Sequence, residues 1–261
     1  MSGAEAMHAL VARLRRAGCV FAEDEAALLT EAVDDPAALE GLVRRRTAGE
    51  PLEQVLGWAG FDGLRLGVAP GVFVPRRRTV ALARRASALV PQHRAAVALD
   101  LCCGVGAVAA VLARDHPRLE LVAADVDPVA VECARANLPA DALVVAGDLF
   151  AVVPSRLRGL IDVIAANAPY VPTAALATMP AEARLHERIA ALDGGHDGLD
   201  VHRRIAEEAR AWLRPGGSVL IEASAAQAPA AVALLTASGL VARSEHDDGF
   251  DATVVIGVRP A

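Results

Sequence analysis

Leu10, Leu14, Leu28, Leu29, Val33, Leu39, Leu42 and Val43 recur at helix-like intervals, with arginine and acidic residues between them. Residues 4–48 therefore read as helical. Asp35-Pro36 marks a helix start, with Asp35 as N-cap and Pro36 at the first helical position. Residues 49–75 change character, because glycine and proline interrupt them from Gly49 to Pro75. Between these, Leu64-Arg65-Leu66 and Val72-Phe73-Val74 predict the short strands of a hairpin.

From Thr79 onward, apolar strands alternate with amphipathic helices. Strands are expected at 96–99, 119–124, 143–145, 161–165, 218–221, 240–244 and 253–258. Helices are expected from the turn after the first of these strands to about 114, and at 128–137, 201–212 and 229–237, with a turn at 213–217. The alternation implies an α/β fold with a doubly wound, mostly parallel sheet. Three parts follow: a small helical N-terminal domain over 1–48, a β-hairpin linker over 49–75 and an α/β domain over 76–261.

Composition adjusts this picture in three ways. Hydrophobic residues make up 54% of the 261-residue chain but aromatics only 3%, so the core is built from many small side chains. The run 95–113 is almost wholly apolar, yet Asp100, Gly104 and Gly106 interrupt it, so a strand, a glycine turn and a helix explain it better than a membrane span. The net charge of −6 argues against a stable nucleic-acid partner. Cys19, Cys102, Cys103 and Cys133 show no CxxC pairing and no zinc spacing, so no metal is expected and a cytoplasmic protein with reduced thiols is.

In a sheet of this kind, ligands bind beyond the carboxyl ends of the strands. The first strand of the α/β part runs into Asp100-Leu101-Cys102-Cys103-Gly104-Val105-Gly106. A nicotinamide dinucleotide fingerprint G-x-G-x-x-G fails here, since its first position is Cys102 and its last is Ala107. What survives is Asp-x-x-x-Gly-x-Gly. Asp100 suits a ligand with an amino group, such as the methionine part of S-adenosylmethionine. Asp125 closes the second strand, where a carboxylate can accept from both ribose hydroxyls. Asp148 follows the third, placed to accept from an adenine amino group, with Leu149 and Phe150 to cover the ring. Cys102 and Cys103 read as small residues filling a tight turn.

The fourth strand ends in Asn167-Ala168-Pro169-Tyr170. Tyr170 is the only tyrosine in the chain. A methyl group on a sulfonium is already a strong electrophile, so catalysis rests on placing a nitrogen lone pair in line with it. The Asn167 side-chain oxygen and the Ala168 carbonyl can accept both N–H bonds of an amide or aromatic amine. Pro169 stiffens the loop, and Tyr170 offers a flat wall. These residues mark an S-adenosylmethionine-dependent N-methyltransferase.

These motifs resemble the release-factor, or HemK-like, N(5)-glutamine methyltransferase family. The likeness includes Gly49-Glu50-Pro51, Pro75-Arg76 with Thr79, the loop from Asp100 to Gly106, Asp125, Asp148, Asn167 to Tyr170, and Gly194-Gly195 with Gly198-Leu199. It implies a class I methyltransferase fold, a helical domain that recognises the substrate, and the glutamine of a peptide chain release factor as acceptor. By resemblance, the Asn-Pro-Pro-Tyr role falls on Asn167, Ala168, Pro169 and Tyr170, and donor binding falls on Cys102 to Gly106, Asp125, Leu149 and Asn167. The chain departs from the family pattern, as a divergent paralogue would. Ala168 replaces a proline, Cys102 a glycine and Val80 an acidic residue, and His186-Glu187-Arg188 stands where the family has Glu-Pro. Methylation of a nucleic-acid base, methylation of a small amide or amine, and donor binding without catalysis stay open as alternatives.

Overall fold

The structure is a computed structural model that describes residues 3–261; Met1 and Ser2, part of the expected helical domain, lie outside the described residues. Four helices come first: α1 (Gly3–Arg16), α2 (Ala22–Ala32), α3 (Pro36–Thr47) and the short α4 (Leu52–Leu56). Asp35 caps α3 as expected, its side chain accepting from the Ala38 N–H at 2.8 Å. Leu14, Ala22, Ala26, Leu29, Val43 and Val55 form a small core of their own.

The hairpin differs from expectation. Strands β1 (Trp58–Phe61) and β2 (Leu64–Gly67) pair antiparallel across the two-residue turn Asp62-Gly63. Both turn residues have positive φ, which suits the twist of a tight hairpin. The stretch 72–74 is not a strand. Val72 and Val74 are buried against the α/β core without sheet pairing, so their apolar pattern reports packing.

The rest is a seven-stranded sheet flanked by helices. In chain order come α5 (Thr79–Ala88), β3 (Val97–Leu101), α6 (Ala107–Asp115), β4 (Glu120–Asp125), α7 (Pro128–Asn137), β5 (Leu143–Ala146), β6 (Ile161–Ala166), α8 (Ala181–His186), α9 (Asp200–Trp212), β7 (Leu213–Ala223), α10 (Ala228–Ala237), β8 (Val241–Asp247) and β9 (Ala252–Val258). The spatial order is β5-β4-β3-β6-β7-β9-β8, parallel except for β9, which runs antiparallel to both neighbours. This is the class I methyltransferase arrangement. The stretch 213–217, expected as a turn, opens β7 instead, with an irregular register against β6 between Ile161 and Val163.

Side chains alternate across the sheet as strand geometry requires. Val163 and Ala165 of β6 pack with residues of α5, α6 and α7, whereas Ile164 and Ala166 pack with α9 and α10. Both faces of the central strands are covered, which explains their unbroken apolar runs.

One buried ion cluster ties the helical domain to the sheet domain. Arg46 of α3 meets Glu25 of α2 at 2.5 Å and Glu182 of α8 at 2.9 Å. Its guanidinium also donates to the Glu50 carbonyl at 3.0 Å. Removing one partner of a buried pair strands the other charge, so Arg46→Ala is expected to cost roughly 3 kcal/mol. Urea unfolding checks this, and a loss within ~0.5 kcal/mol would assign the cluster no structural weight.

Candidate active site

A cavity of about 480 Å³ opens at the carboxyl ends of β3, β4, β5 and β6. Its lining includes Cys102, Gly104, Asp125, Asp148, Leu149, Asn167, Ala168, Pro169 and Tyr170. Loops from four strands thus bring most of the sequence-derived candidates together. A second cavity, of about 340 Å³, lies at the opposite strand ends among residues 90–96 and 115–119 and contains none of them.

The donor half rests on the loop after β3. A Cβ placed on Gly104 would meet no protein atom within 4 Å, so this glycine keeps the loop surface open toward the cavity. Cys102 lines the cavity at φ +54°, the left-handed region that favours glycine. Holding a cysteine there costs on the order of 1 kcal/mol. Burial pushes its thiol up, so it stays protonated and acts as a small apolar wall.

Other loop residues serve the scaffold rather than the cavity. Cys103 and Val105 are buried in the core. Gly106 packs α6 against α7, since a Cβ there would lie 3.2 Å from Ala134 Cβ. Asp100 is turned away from the expected amino group. It is 1% exposed, does not line the cavity, and accepts from the Ala109 N–H of α6 at 3.0 Å. A carboxylate at the end of β3 is drawn to the orphan N–H groups of the helix that follows. Its second oxygen has no partner, and burial raises its carboxyl to about 7.

Asp125 faces the cavity. Its two oxygens accept from the backbone N–H groups of Gly104 and Asp127, each at 2.8 Å. Each oxygen has a second acceptor position to offer a ligand. Asp148 is half-exposed and paired with Arg204 of α9 at 2.6 Å. Leu149 lines the cavity, but Phe150 does not. It is buried against Trp212, ring centroids 5.7 Å apart, so its expected cover of an adenine ring is replaced by a core stacking contact.

The acceptor half is built on the turn after β6. Asn167 donates from Nδ2 to Thr79 Oγ1 at 3.1 Å, which leaves Oδ1 as the end available to a ligand N–H. Ala168 is buried and lines the cavity. Tyr170 donates its hydroxyl to Glu222 Oε1 at 3.0 Å, and its backbone carbonyl accepts from Gln227 Nε2 at 2.9 Å. Gly198 passes so close that a Cβ would lie 2.3 Å from the Tyr170 carbonyl oxygen, which accounts for glycine at that place in the motif. Burial and then the Glu222 charge push the Tyr170 phenol up, so it remains a neutral donor.

Sequence reasoning missed Phe73, Arg188 and Arg204 of the lining and Glu222 behind it, and it gave Thr79 a place in a motif but no role in the site. Arg188 pairs with Asp127 at 3.0 Å, and Arg76 with Glu187 at 2.6 Å. These contacts draw the segment around α8 over the cavity.

A family model for the methyltransferase small domain matches residues 64–195. The release factor glutamine methyltransferase of Cereibacter sphaeroides is 37% identical over 92% of this chain and 92% of its own length. The chain belongs to the release factor glutamine methyltransferase family. It is an S-adenosylmethionine-dependent methyltransferase. A 4-amino-L-phenylalanine/4-methylamino-L-phenylalanine methyltransferase of Streptomyces pristinaespiralis is 36% identical over 76% of this chain and 69% of its own length. The fold is similar to that of the T. thermophilus 16S rRNA N2 G1207 methyltransferase, solved with AdoMet and guanosine, with TM-score 0.54 and 22% identity over 77% of this chain and 49% of that one. No helix among the described residues is long and apolar enough to cross a membrane.

The residues present fit the donor of this family. The open loop at Gly104, the acceptor positions of Asp125 and the apolar wall at Leu149 suit an amino acid joined to a nucleoside. Asp125→Ala is expected to weaken S-adenosylmethionine binding at least about tenfold, the worth of one charge-assisted hydrogen bond. Titration calorimetry checks this. Burial raises the Asp125 carboxyl above the ordinary value of 3.8. Its contribution is therefore lost as pH falls through that raised value. Donor affinity unchanged in Asp125→Ala would remove Asp125 from the site.

The Thr79 hydroxyl accepts from Asn167 Nδ2 and so fixes which end of the amide is left free. Thr79→Val is expected to lower turnover by about tenfold, the worth of one buried hydrogen bond, while Thr79→Ser restores it. Equal rates for valine and serine would show that the amide needs no anchor.

Proposed function

We propose that this enzyme methylates the side-chain amide nitrogen of a glutamine in a protein, with a peptide chain release factor as the substrate. One observation carries this reading: the Asn167 amide donates from Nδ2 to Thr79, which leaves Oδ1 as its acceptor, and Asn167 and Ala168 both line the cavity. An amide –NH2 has two N–H bonds, and in this reading Asn167 Oδ1 and the Ala168 carbonyl accept them. Holding both bonds orients the nitrogen and favours its rehybridisation. Phe73 and Tyr170 offer flat walls for a planar group.

The bound donor supplies a methyl group on a sulfonium. Cys102, Gly104, Asp125, Leu149 and Asn167 hold it in this reading, and Asp148 serves its adenine edge once Arg204 shares that carboxylate. Asp100, Cys103, Val105 and Gly106 shape the loop from behind. No base of raised pKa is required at Asn167, because the methylated nitrogen gives up its proton readily to water. The residues 3–56 recognise the protein substrate, and the Arg46 cluster fixes them beside α8. The four free cysteines suit the cytoplasm, where thiols stay reduced.

The relative that acts on an amino-phenylalanine favours a second reading, a small aryl amine as acceptor. Its nitrogen also carries a conjugated lone pair and two N–H bonds. The Cereibacter relative, which matches across the helical domain as well, supports the protein substrate.

The test incubates purified release factor, S-adenosylmethionine and the enzyme, followed by mass spectrometry of the peptide that contains the Gly-Gly-Gln loop. A gain of one methyl on its glutamine is the expected result, and Asn167→Ala is expected to abolish it while donor binding persists. No methyl on that peptide, with transfer to 4-amino-L-phenylalanine instead, would favour the second reading. Turnover near wild type in Asn167→Ala would overturn the proposed chemistry.

A further inference from the structure

Glu222 lies near the carboxyl end of β7, the strand beside β6, and is 1% exposed. It is not part of the cavity lining. Its Oε1 accepts from the Tyr170 hydroxyl at 3.0 Å and from Arg78 Nε at 3.2 Å. Arg78 in turn stands over the Tyr170 ring, its guanidinium carbon 5.6 Å from the ring centre. Both Tyr170 and Arg78 line the cavity. Three segments far apart in the chain therefore meet on one carboxylate.

We propose that Glu222 is a positioning residue for the acceptor, holding Tyr170 and Arg78 together as one wall of the acceptor pocket. This rests on the reading of Asn167 to Tyr170 as the acceptor site. The physical case is one of cost. Burying a carboxylate is expensive, and an apolar side chain of similar size would fill the same space more cheaply. The carboxylate is required where a phenol and a guanidinium must share one acceptor. Glu222 Oε2 has no partner in its buried surroundings, so its burial is not explained by full satisfaction of its own hydrogen bonds. The sharing fixes the plane of Tyr170, because its hydroxyl is held at one end and its backbone carbonyl by Gln227 at the other.

The single tyrosine makes this testable without an acceptor. Absorbance near ~295 nm reports ionisation of one phenol, which burial raises first and the Glu222 charge raises further, with Arg78 and Arg76 acting in the opposite sense. In Glu222→Gln the phenol is expected to ionise at lower pH than in the wild type, with the fold followed by circular dichroism. S-adenosylmethionine affinity is expected to stay within about threefold of the wild type, because Glu222 lies outside the donor half. With release factor as acceptor, KM is expected to rise about tenfold in Glu222→Gln, with kcat changed less. Tyr170→Phe is expected to give a similar rise, and the double variant no more than either alone.

An unchanged phenol titration in Glu222→Gln overturns the proposal, and so do effects of Glu222→Gln and Tyr170→Phe that multiply. A wild type that does not methylate release factor would overturn the substrate reading instead, and the titration would still decide whether Glu222 holds Tyr170. Where Glu222→Ala fails to fold, Glu222→Gln keeps shape and one acceptor oxygen, so the comparison stands.

Discussion

Parallel pairing of β3 with β4 on one side and β6 on the other sets where everything else can go. The register places Leu101 opposite both Ala124 and Ala166, so the three strands end at one level. Cys102, Asp125 and Asn167 therefore emerge side by side, although more than sixty residues separate the first from the last. The chain runs from β3 outward to β4 and β5, then returns to β6 on the other side, and the crevice opens where the strand order reverses. Donor and acceptor halves are thus the two sides of one topological switch. Asn167 and Asp125 are brought together by strand pairing rather than by any loop.

Arginine then closes the crevice. Arg76, Arg78, Arg188 and Arg204 all line the cavity, and each faces a carboxylate from a distant segment: Glu187, Glu222, Asp127 and Asp148. The pairs differ in kind. Arg204–Asp148 and Arg188–Asp127 lie near the surface, where such contacts contribute little and are screened by salt. Glu187 and Glu222 have buried carboxylates, so their arginines are committed to them. Burial raises the Glu187 carboxyl, with Arg76 and the Val74 N–H pulling the other way. The run Arg76-Arg77-Arg78 thereby divides into structural uses: one arginine binds the segment around α8, the next lies over the Phe250 ring, and the third braces the acceptor wall.

The sheet was legible because buried parallel strands are unbroken apolar runs, and because Asp127-Pro128 signals a helix start as plainly as Asp35-Pro36 does. The hairpin was misplaced because Val72 and Val74 look like a strand but point into a core without a partner strand, while the true turn at Asp62-Gly63 joins two runs that are only four residues long. Within the site, Asp125 and Asn167 could be found because they stand at strand ends, and Tyr170 because it closes the tetrapeptide that follows β6. Asp100 ends a strand too, yet it caps α6, and no local pattern tells a carboxylate that faces a ligand from one that faces the next helix. The roles of Thr79 and Glu222 were invisible for a different reason. They act across 88 and 52 residues of chain, on partners that only the fold brings near.

The departures from the family pattern fall where backbone geometry matters more than the side chain. Ala168 keeps the carbonyl that a proline would present, and its methyl is buried, so packing holds the turn that a ring would stiffen. Cys102 keeps the left-handed turn at the cost of some strain, with neighbouring Gly104 still open to the cavity. Val80, in place of an acidic residue, is buried in the core of α5, one position from the Thr79 hydroxyl that anchors Asn167. Arg188 gains an ion pair to Asp127 where a proline has no charge to offer. Each change leaves Asn167, its anchor and the carbonyl beside it in place. The proposed chemistry rests on those three features and not on the side chains at positions 80, 102, 168 or 188.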